Sequence, residues 1–342
     1  MVDEAEAEPV ARATGGGVTE PGITRQIAGA TGGGVADPDD AELVTRAVGG
    51  EVAAVEAVLR RLQDPLYRLA LRMTGNRADA EDATQEILLR VLTHLATWRG
   101  EAALLTWAYR IGVNHLLNQR RRSPQERGGI DLQIFANTLL DGLATADHRG
   151  PEAEVLATEV RLQCSQAMLQ CLDRAERVGF VLAEVFELSS ADAAWILGIT
   201  PAAYRKRLQR TRARLGAFLT ANCGRVDSGA RCRCTRRIEA ATARGRIDPA
   251  RPAFTGHPVT PGGRDAAAAE RQMVRLHDAA AVFRAHPDYA APAEKVEGVV
   301  ALLRSGRFPL LDRDTGQRQP DQPAGGLRVA LGGGGDGGGE PQ

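Results

Sequence analysis

Six cationic side chains and no anionic one occupy residues 205–214: Arg205, Lys206, Arg207, Arg210, Arg212 and Arg214. Such a density suits a polyanionic partner, because each neutralised phosphate releases condensed counterions. Just beyond it, Cys223, Cys232 and Cys234 fall within twelve residues, beside five arginines between 225 and 237. Three thiols at this spacing can ligate zinc or another soft metal, with a fourth ligand drawn from His257, Cys164 or Cys171. The same thiols could form a redox disulfide, Cys223 with one of the later pair, and nearby arginines would lower their pKa values. Earlier in the chain Trp98, Trp107 and Tyr109, three of 14 aromatics, gather beside Arg99, Arg110 and Arg120–Arg122. Rings stack on unpaired bases while guanidiniums follow phosphates. Trp107 lies on an apolar stripe and is assigned to the core.

Helices must carry these groups. Ile87, Val91 and Leu95 recur every four residues beside Leu88 and Leu92, and Leu104, Trp107, Ala108, Ile111 and His115 form a second stripe at helical spacing. Gly100 breaks the chain between them. Asp79, Glu81, Asp82 and Glu86 put negative charge on the first turns of the earlier helix, where the dipole favours it. Val178, Val181, Leu182, Val185 and Phe186 mark a later helix, followed by a short one over Ser190–Leu197 that Gly198 ends. Thr200 then offers an N-cap oxygen and Pro201 suits a first helical position. From Ala202 to Leu215 the chain reads as helical, with Tyr204, Leu208 and Leu215 inward. Helix, glycine turn and helix together form a helix-turn-helix pattern. The basic residues early in its second helix can reach base edges in a major groove; Arg212 and Arg214, further along, suit phosphates.

Composition narrows the alternatives. The 342 residues carry 43 basic and 43 acidic side chains, a net charge of zero, yet residues 1–56 hold eleven acids and three arginines. That length suggests two or three domains. No apolar run reaches the about 18 residues of a spanning helix, and the acidic start is unlike a secretory signal, so a cytoplasmic protein without membrane insertion is expected. Five cysteines do not make a disulfide framework. Nothing alternates strongly enough for a sheet, so the expected fold is all-α. Its divisions are a disordered Gly-rich leader (1–38), a helical domain (39–122), a linker with a short helix near Ile134–Leu140 (123–153) and a helix-turn-helix domain (154–221). A Cys-containing extension (222–311) and a disordered Gly-rich tail (312–342) follow. Within the extension His277 and His286 are expected at the surface. No nucleophile–base pair or paired-carboxylate pattern stands out, so no enzyme is expected.

Two motifs carry a resemblance. The run DAEDATQEILLRVL, followed by WRGEAALLTWAYRIGVN and NQRRR, resembles the polymerase-binding and promoter-melting region of bacterial sigma factors. Its spacing to the helix-turn-helix is similar to that of the extracytoplasmic-function group of the sigma-70 family, over about residues 40–221. The resemblance implies two helical sigma domains joined by a linker, no catalytic residues and no required cofactor. It implies docking of the first helix on a coiled coil of the polymerase β′ subunit through Asp82, Gln85 and Glu86. It also implies capture of flipped minus-ten bases by Trp98, Arg99, Arg110, Asn114, Arg120 and Arg121. Reading of a minus-thirty-five element falls to Ala202, Arg205, Lys206, Arg207 and Arg210. The partners implied are core RNA polymerase, through its β′ and β subunits, promoter DNA and an anti-sigma factor. Some members of the group bear a C-terminal cysteine-containing extension that senses metal or redox state, which suggests a built-in regulator here. Two departures stand out: Leu105 replaces a common basic residue before Thr106-Trp107, and Asp192 is a lone acid where a carboxylate pair is usual. The competing reading is a stand-alone helix-turn-helix regulator with a metal- or redox-sensing tail, which leaves DAEDATQEILLR unexplained.

Overall fold

A computed structural model describes residues 37–118, 130–265 and 280–305. Among them every regular element is helical, with two isolated β-bridges, Cys223 to Cys232 and Val259 to Tyr289. Residues 1–36 of the leader, Arg120–Arg122, His277 and the Gly-rich tail lie outside the described residues, while Pro38, placed in the leader, begins a helix.

The first domain contains α1 (Pro38–Val48), α2 (Val52–Thr74), α3 (Arg77–His94) and α4 (Leu104–Asn118). Local chemistry sets the boundaries. Asp37 caps α1 ahead of Pro38, and Asn76 accepts from the Asp79 amide at the start of α3. Gly75 ends α2 at φ 71°, a left-handed conformation that favours glycine. The two expected stripes are buried: Ile87, Val91, Leu104 and Ala108 are fully enclosed.

After α5 (Leu132–Leu140), the second domain comprises α6 (Ala153–Gln170), α7 (Arg174–Phe180) with a π-helical turn at Val181–Val185, α8 (Ser190–Leu197) and α9 (Pro201–Asn222). The last helix runs seven residues beyond the expected end at Leu215. The extension supplies α10 (Cys234–Ala243), α11 (Ala281–Arg284) and α12 (Ala293–Arg304).

One apolar core runs through both domains and into the extension, while Leu156 and Val160 of α6 meet Ile238, Ala241 and Ile247 in a smaller cluster. The polar joint between the domains is a meeting of helix C-termini. Gln166 donates to the carbonyls of Leu71 and Arg72 at 3.1 and 3.0 Å, and Gln170 to that of Arg72 at 3.2 Å. Arg177, 1% exposed, donates to Met73 at the end of α2 and to Leu169 and Leu172 at the end of α6. A buried cation is tolerable there because two helix dipoles present their negative ends and their unpaired carbonyls.

His286 departs from expectation. It is 2% exposed, with Nε2 2.6 Å from Ser165 Oγ and Nδ1 3.1 Å from the Tyr289 hydroxyl. It belongs to a ring cluster with Phe254, His257 and Tyr289 that seats the extension on the domains.

Candidate nucleic-acid interface

The turn between α8 and α9 follows from its side chains. Ser189 caps α8 by accepting from the Asp192 amide at 3.1 Å and donates to the Asp192 carboxylate at 2.6 Å. The lone acid is therefore largely buried cap chemistry. Gly198 stops α8 at φ 64°, and Thr200 accepts from the Ala203 amide at 3.2 Å to start α9. Tyr204, 1% exposed, donates its hydroxyl to the Gly179 carbonyl at 2.8 Å and fixes α9 against α7. With Tyr204, Leu208 and Leu215 inward, Ala202, Arg205, Lys206 and Arg210 face solvent and Arg207 is half-buried.

The arginines of α9 divide into two sets. Arg212 donates to Glu184 at 2.6 Å and Arg214 to Glu176 at 2.7 Å, so these two are engaged within their own domain. That differs from the expected phosphate role, because two acids of α7 and its π turn lie opposite. Arg205, Lys206, Arg207 and Arg210 form no ion pair among the described residues. An uncompensated basic face at the start of a capped helix suits an anion in a groove.

In the first domain Asp82 and Glu86 are exposed on α3 and Gln85 is half-buried. His115 Nε2 lies 3.6 Å from Glu86, and burial pushes the imidazole below its usual range. After α3 the Trp98 indole N–H donates to the Ala102 carbonyl at 3.0 Å and braces the loop that holds exposed Arg99. Asn114 is exposed on α4. Arg110 is not free: its guanidinium lies over the Trp195 ring of α8 at 4.5 Å, and neighbouring Tyr109 stacks on Phe186 at 5.3 Å. The aromatic and basic groups expected to face unpaired bases are thus partly turned against the second domain. Trp107 packs against the core, as expected.

Of the three candidates for a fourth group beside the extension's thiols, Cys164 is the one that shares their cavity. Cys164, Cys223, Cys232 and Cys234 line one cavity of about 30 Å³ with Arg161, Arg225 and Arg237. His257 is instead bonded to the Tyr67 hydroxyl at 2.7 Å, and Cys171 is not among the cavity's lining residues. Among the described residues no three His, Cys, Asp or Glu side chains are arranged to hold a metal. The expected lowering of thiol pKa is reversed, since burial pushes Cys232 up to about 12 and raises Cys164 and Cys234. Desolvation outweighs the arginines.

Sequence reasoning missed helix α10 and the buried Glu159, whose carboxylate collects the backbone of residues 253–255. The available signal was the concentration of rings at positions 254, 257, 286 and 289 in an aromatic-poor chain.

Residues 58–125 match the family model of Sigma-70 region 2, and residues 162–215 match that of Sigma-70, region 4. Among relatives, the ECF RNA polymerase sigma factor SigE of Mycolicibacterium smegmatis is 31% identical over 165 residues, 48% of this chain and 61% of SigE. SigW of Bacillus subtilis is 28% identical, covering 44% of this chain and 80% of SigW. The RNA polymerase sigma-H factor of Pseudomonas aeruginosa is 28% identical, covering 46% and 82%. Among solved structures, the Bartonella quintana sigma factor RpoE, in complex with the anti-sigma factor NepR, gives a TM-score of 0.34 at 21% identity, covering 47% and 94%. No described helix is long and apolar enough to cross a membrane. The region 2 match spans most of α2 through α4 and the region 4 match runs from within α6 through most of α9, so the chain carries both sigma-70 regions and is similar to sigma factors of that family over them.

Proposed function

We propose that this protein is a dissociable sigma factor of the extracytoplasmic-function type, binding core RNA polymerase and directing promoter-specific initiation. The observation that carries the reading is the uncompensated basic start of α9, on a capped helix-turn-helix, in a chain that also bears a region 2. Arg205, Lys206, Arg207 and Arg210, with Ala202 close to the groove floor, read the minus-thirty-five element. Asp82, Gln85 and Glu86 on α3 bind the β′ subunit. Trp98, Arg99, Arg110 and Asn114, with Arg120 and Arg121 beyond the described residues, engage the melted minus-ten strand. The protein works in the cytoplasm and performs no covalent chemistry of its own; the polymerase makes the RNA. A stand-alone helix-turn-helix regulator would leave the region 2 match without a role.

The extension regulates this activity, and an anti-sigma factor is a further proposed partner. No cofactor is needed for initiation. Cys164, Cys223, Cys232 and Cys234 share one cavity but are not arranged to hold a metal, so no metal is assigned a role in the extension. The first test is co-purification of the full chain with core polymerase, beside Asp82→Ala and Glu86→Ala. Wild type should bind and the variants should bind more weakly; absence of wild-type binding would contradict the proposal.

A further inference from the structure

The extension touches both sigma domains with directed bonds. On the first domain, Asp64 accepts from the Thr260 hydroxyl at 2.8 Å and the Ala291 amide at 2.9 Å. Arg68 pairs with Asp288 at 3.2 Å, and Arg72 donates to the Phe283 carbonyl at 3.2 Å. Arg304 of α12 donates to Glu56 at 2.7 Å, and α12 packs against α2 and α3. On the second domain, Arg284 pairs with Glu184 and Glu187 at 3.4 and 3.5 Å, and Phe283 meets Phe180 edge-on at 4.9 Å. Residues 283 and 284 thus reach one domain with a carbonyl and the other with their side chains.

The domains held this way are too close together to serve two promoter elements. Elements at minus ten and minus thirty-five are about 25 base pairs apart, or about 85 Å at 3.4 Å per step. In the structure α4 packs against α8, with the Arg110 guanidinium over the Trp195 ring, and the recognition helix α9 packs against α8 as well. With helices about 10–12 Å across, packing on one shared helix keeps α4 and α9 within about 20–25 Å of each other. The contact also occupies Arg110 itself, while the basic face of α9 stays open.

We propose that the extension is an internal clamp that holds the two sigma domains closed and inhibits promoter engagement until it is released. This rests on the sigma-factor reading and supplies the sign of its regulation. The closed chain can present α9 to DNA but cannot place α4 on the minus-ten strand at the same time.

The test uses the full chain with a donor and an acceptor dye at Glu101 and Gln209, both exposed, installed as non-canonical amino acids. Energy transfer, core polymerase binding and transcription are measured for wild type, Arg284→Ala, Asp288→Asn and the triple variant Arg284→Ala/Asp288→Asn/Arg304→Ala. None of these residues belongs to the proposed DNA or polymerase surfaces. The expected result is high transfer in wild type, a stepwise fall across the variants and at least a threefold rise in transcription for the triple variant. Low transfer in wild type, or a triple variant that matches wild type in transfer, overturns the clamp. So does a fall in transfer with transcription unchanged or reduced while core binding persists. If wild type and variants all fail to bind core polymerase, the sigma-factor reading fails instead, and the transfer series still decides whether the extension holds the domains together.

Discussion

Glu159 offers the sharpest test of how the extension is anchored. Its side chain is fully buried on α6, and it accepts from the amides of Ala253 at 2.9 Å, Phe254 at 3.1 Å and Thr255 at 2.8 Å, and from the Thr255 hydroxyl at 3.0 Å. Glu159→Gln preserves shape but replaces one oxygen by an NH₂ group, which faces donors. Two or three bonds are lost, and buried N–H groups are left without acceptors at ~1–2 kcal/mol each. Together with lost charge assistance this gives ~3–6 kcal/mol. The loop at 252–256 avoids that penalty by opening to water, so the loss shows as local opening rather than global unfolding. Amide hydrogen exchange at residues 253–255 reads it directly, and ~3 kcal/mol corresponds to about a hundredfold loss of protection. Protection within threefold of wild type would refute the assignment of Glu159 as the anchor. A matching loss throughout α2 and α3 would also refute it, since the carboxylate would then support the whole fold.

Three further outcomes follow from the same geometry. Tyr204→Phe removes the hydroxyl that reaches Gly179 in a buried site, and urea unfolding should show a loss of ~1–2 kcal/mol with an unchanged m value. Arg207→Ala and Arg210→Ala should each lower the slope of log affinity against log salt for promoter DNA by ~0.9 if they contact phosphate, whereas Arg212→Ala, already paired with Glu184, should change it less. Burial pushes the imidazoles of His286, His257 and His115 down from 6.5, so below that pH the unfolded chain binds protons that the folded chain refuses. Stability is therefore full above about pH 6.5 and falls as pH drops below it; His286→Gln should flatten the dependence in denaturation measured between pH 7 and pH 5.

What was legible in the chain was what neighbouring residues decide. Thr200, Pro201 and Gly198 build the turn through bonds that span four residues or fewer, so the helix-turn-helix could be read from spacing. The apolar stripes of α3 and α4 were legible for the same reason. Contacts between distant segments left no local mark. Nothing near Arg110 signals that Trp195 will sit under its guanidinium, and nothing near Glu159 signals a loop almost a hundred residues away. The cysteines show why residue counts mislead. Five neighbouring arginines suggested acidified thiols, but the sign depends on burial, which the sequence does not display, and desolvation prevails. His286 differs from expectation for a related reason: beside a helix-breaking proline it resembles a loop residue, yet Ser165 and Tyr289 enclose it.

The central claim is that this chain directs core RNA polymerase to promoters. Its most direct test is transcription in vitro with purified core enzyme, the full chain and a pool of native promoter fragments, comparing wild type, the clamp-release triple variant and Arg207→Ala/Arg210→Ala. Discrete transcripts are predicted that require the protein, increase with the triple variant and weaken with the paired arginine substitutions. Absence of any protein-dependent transcript, even from the released form at concentrations that saturate core polymerase, would contradict the claim.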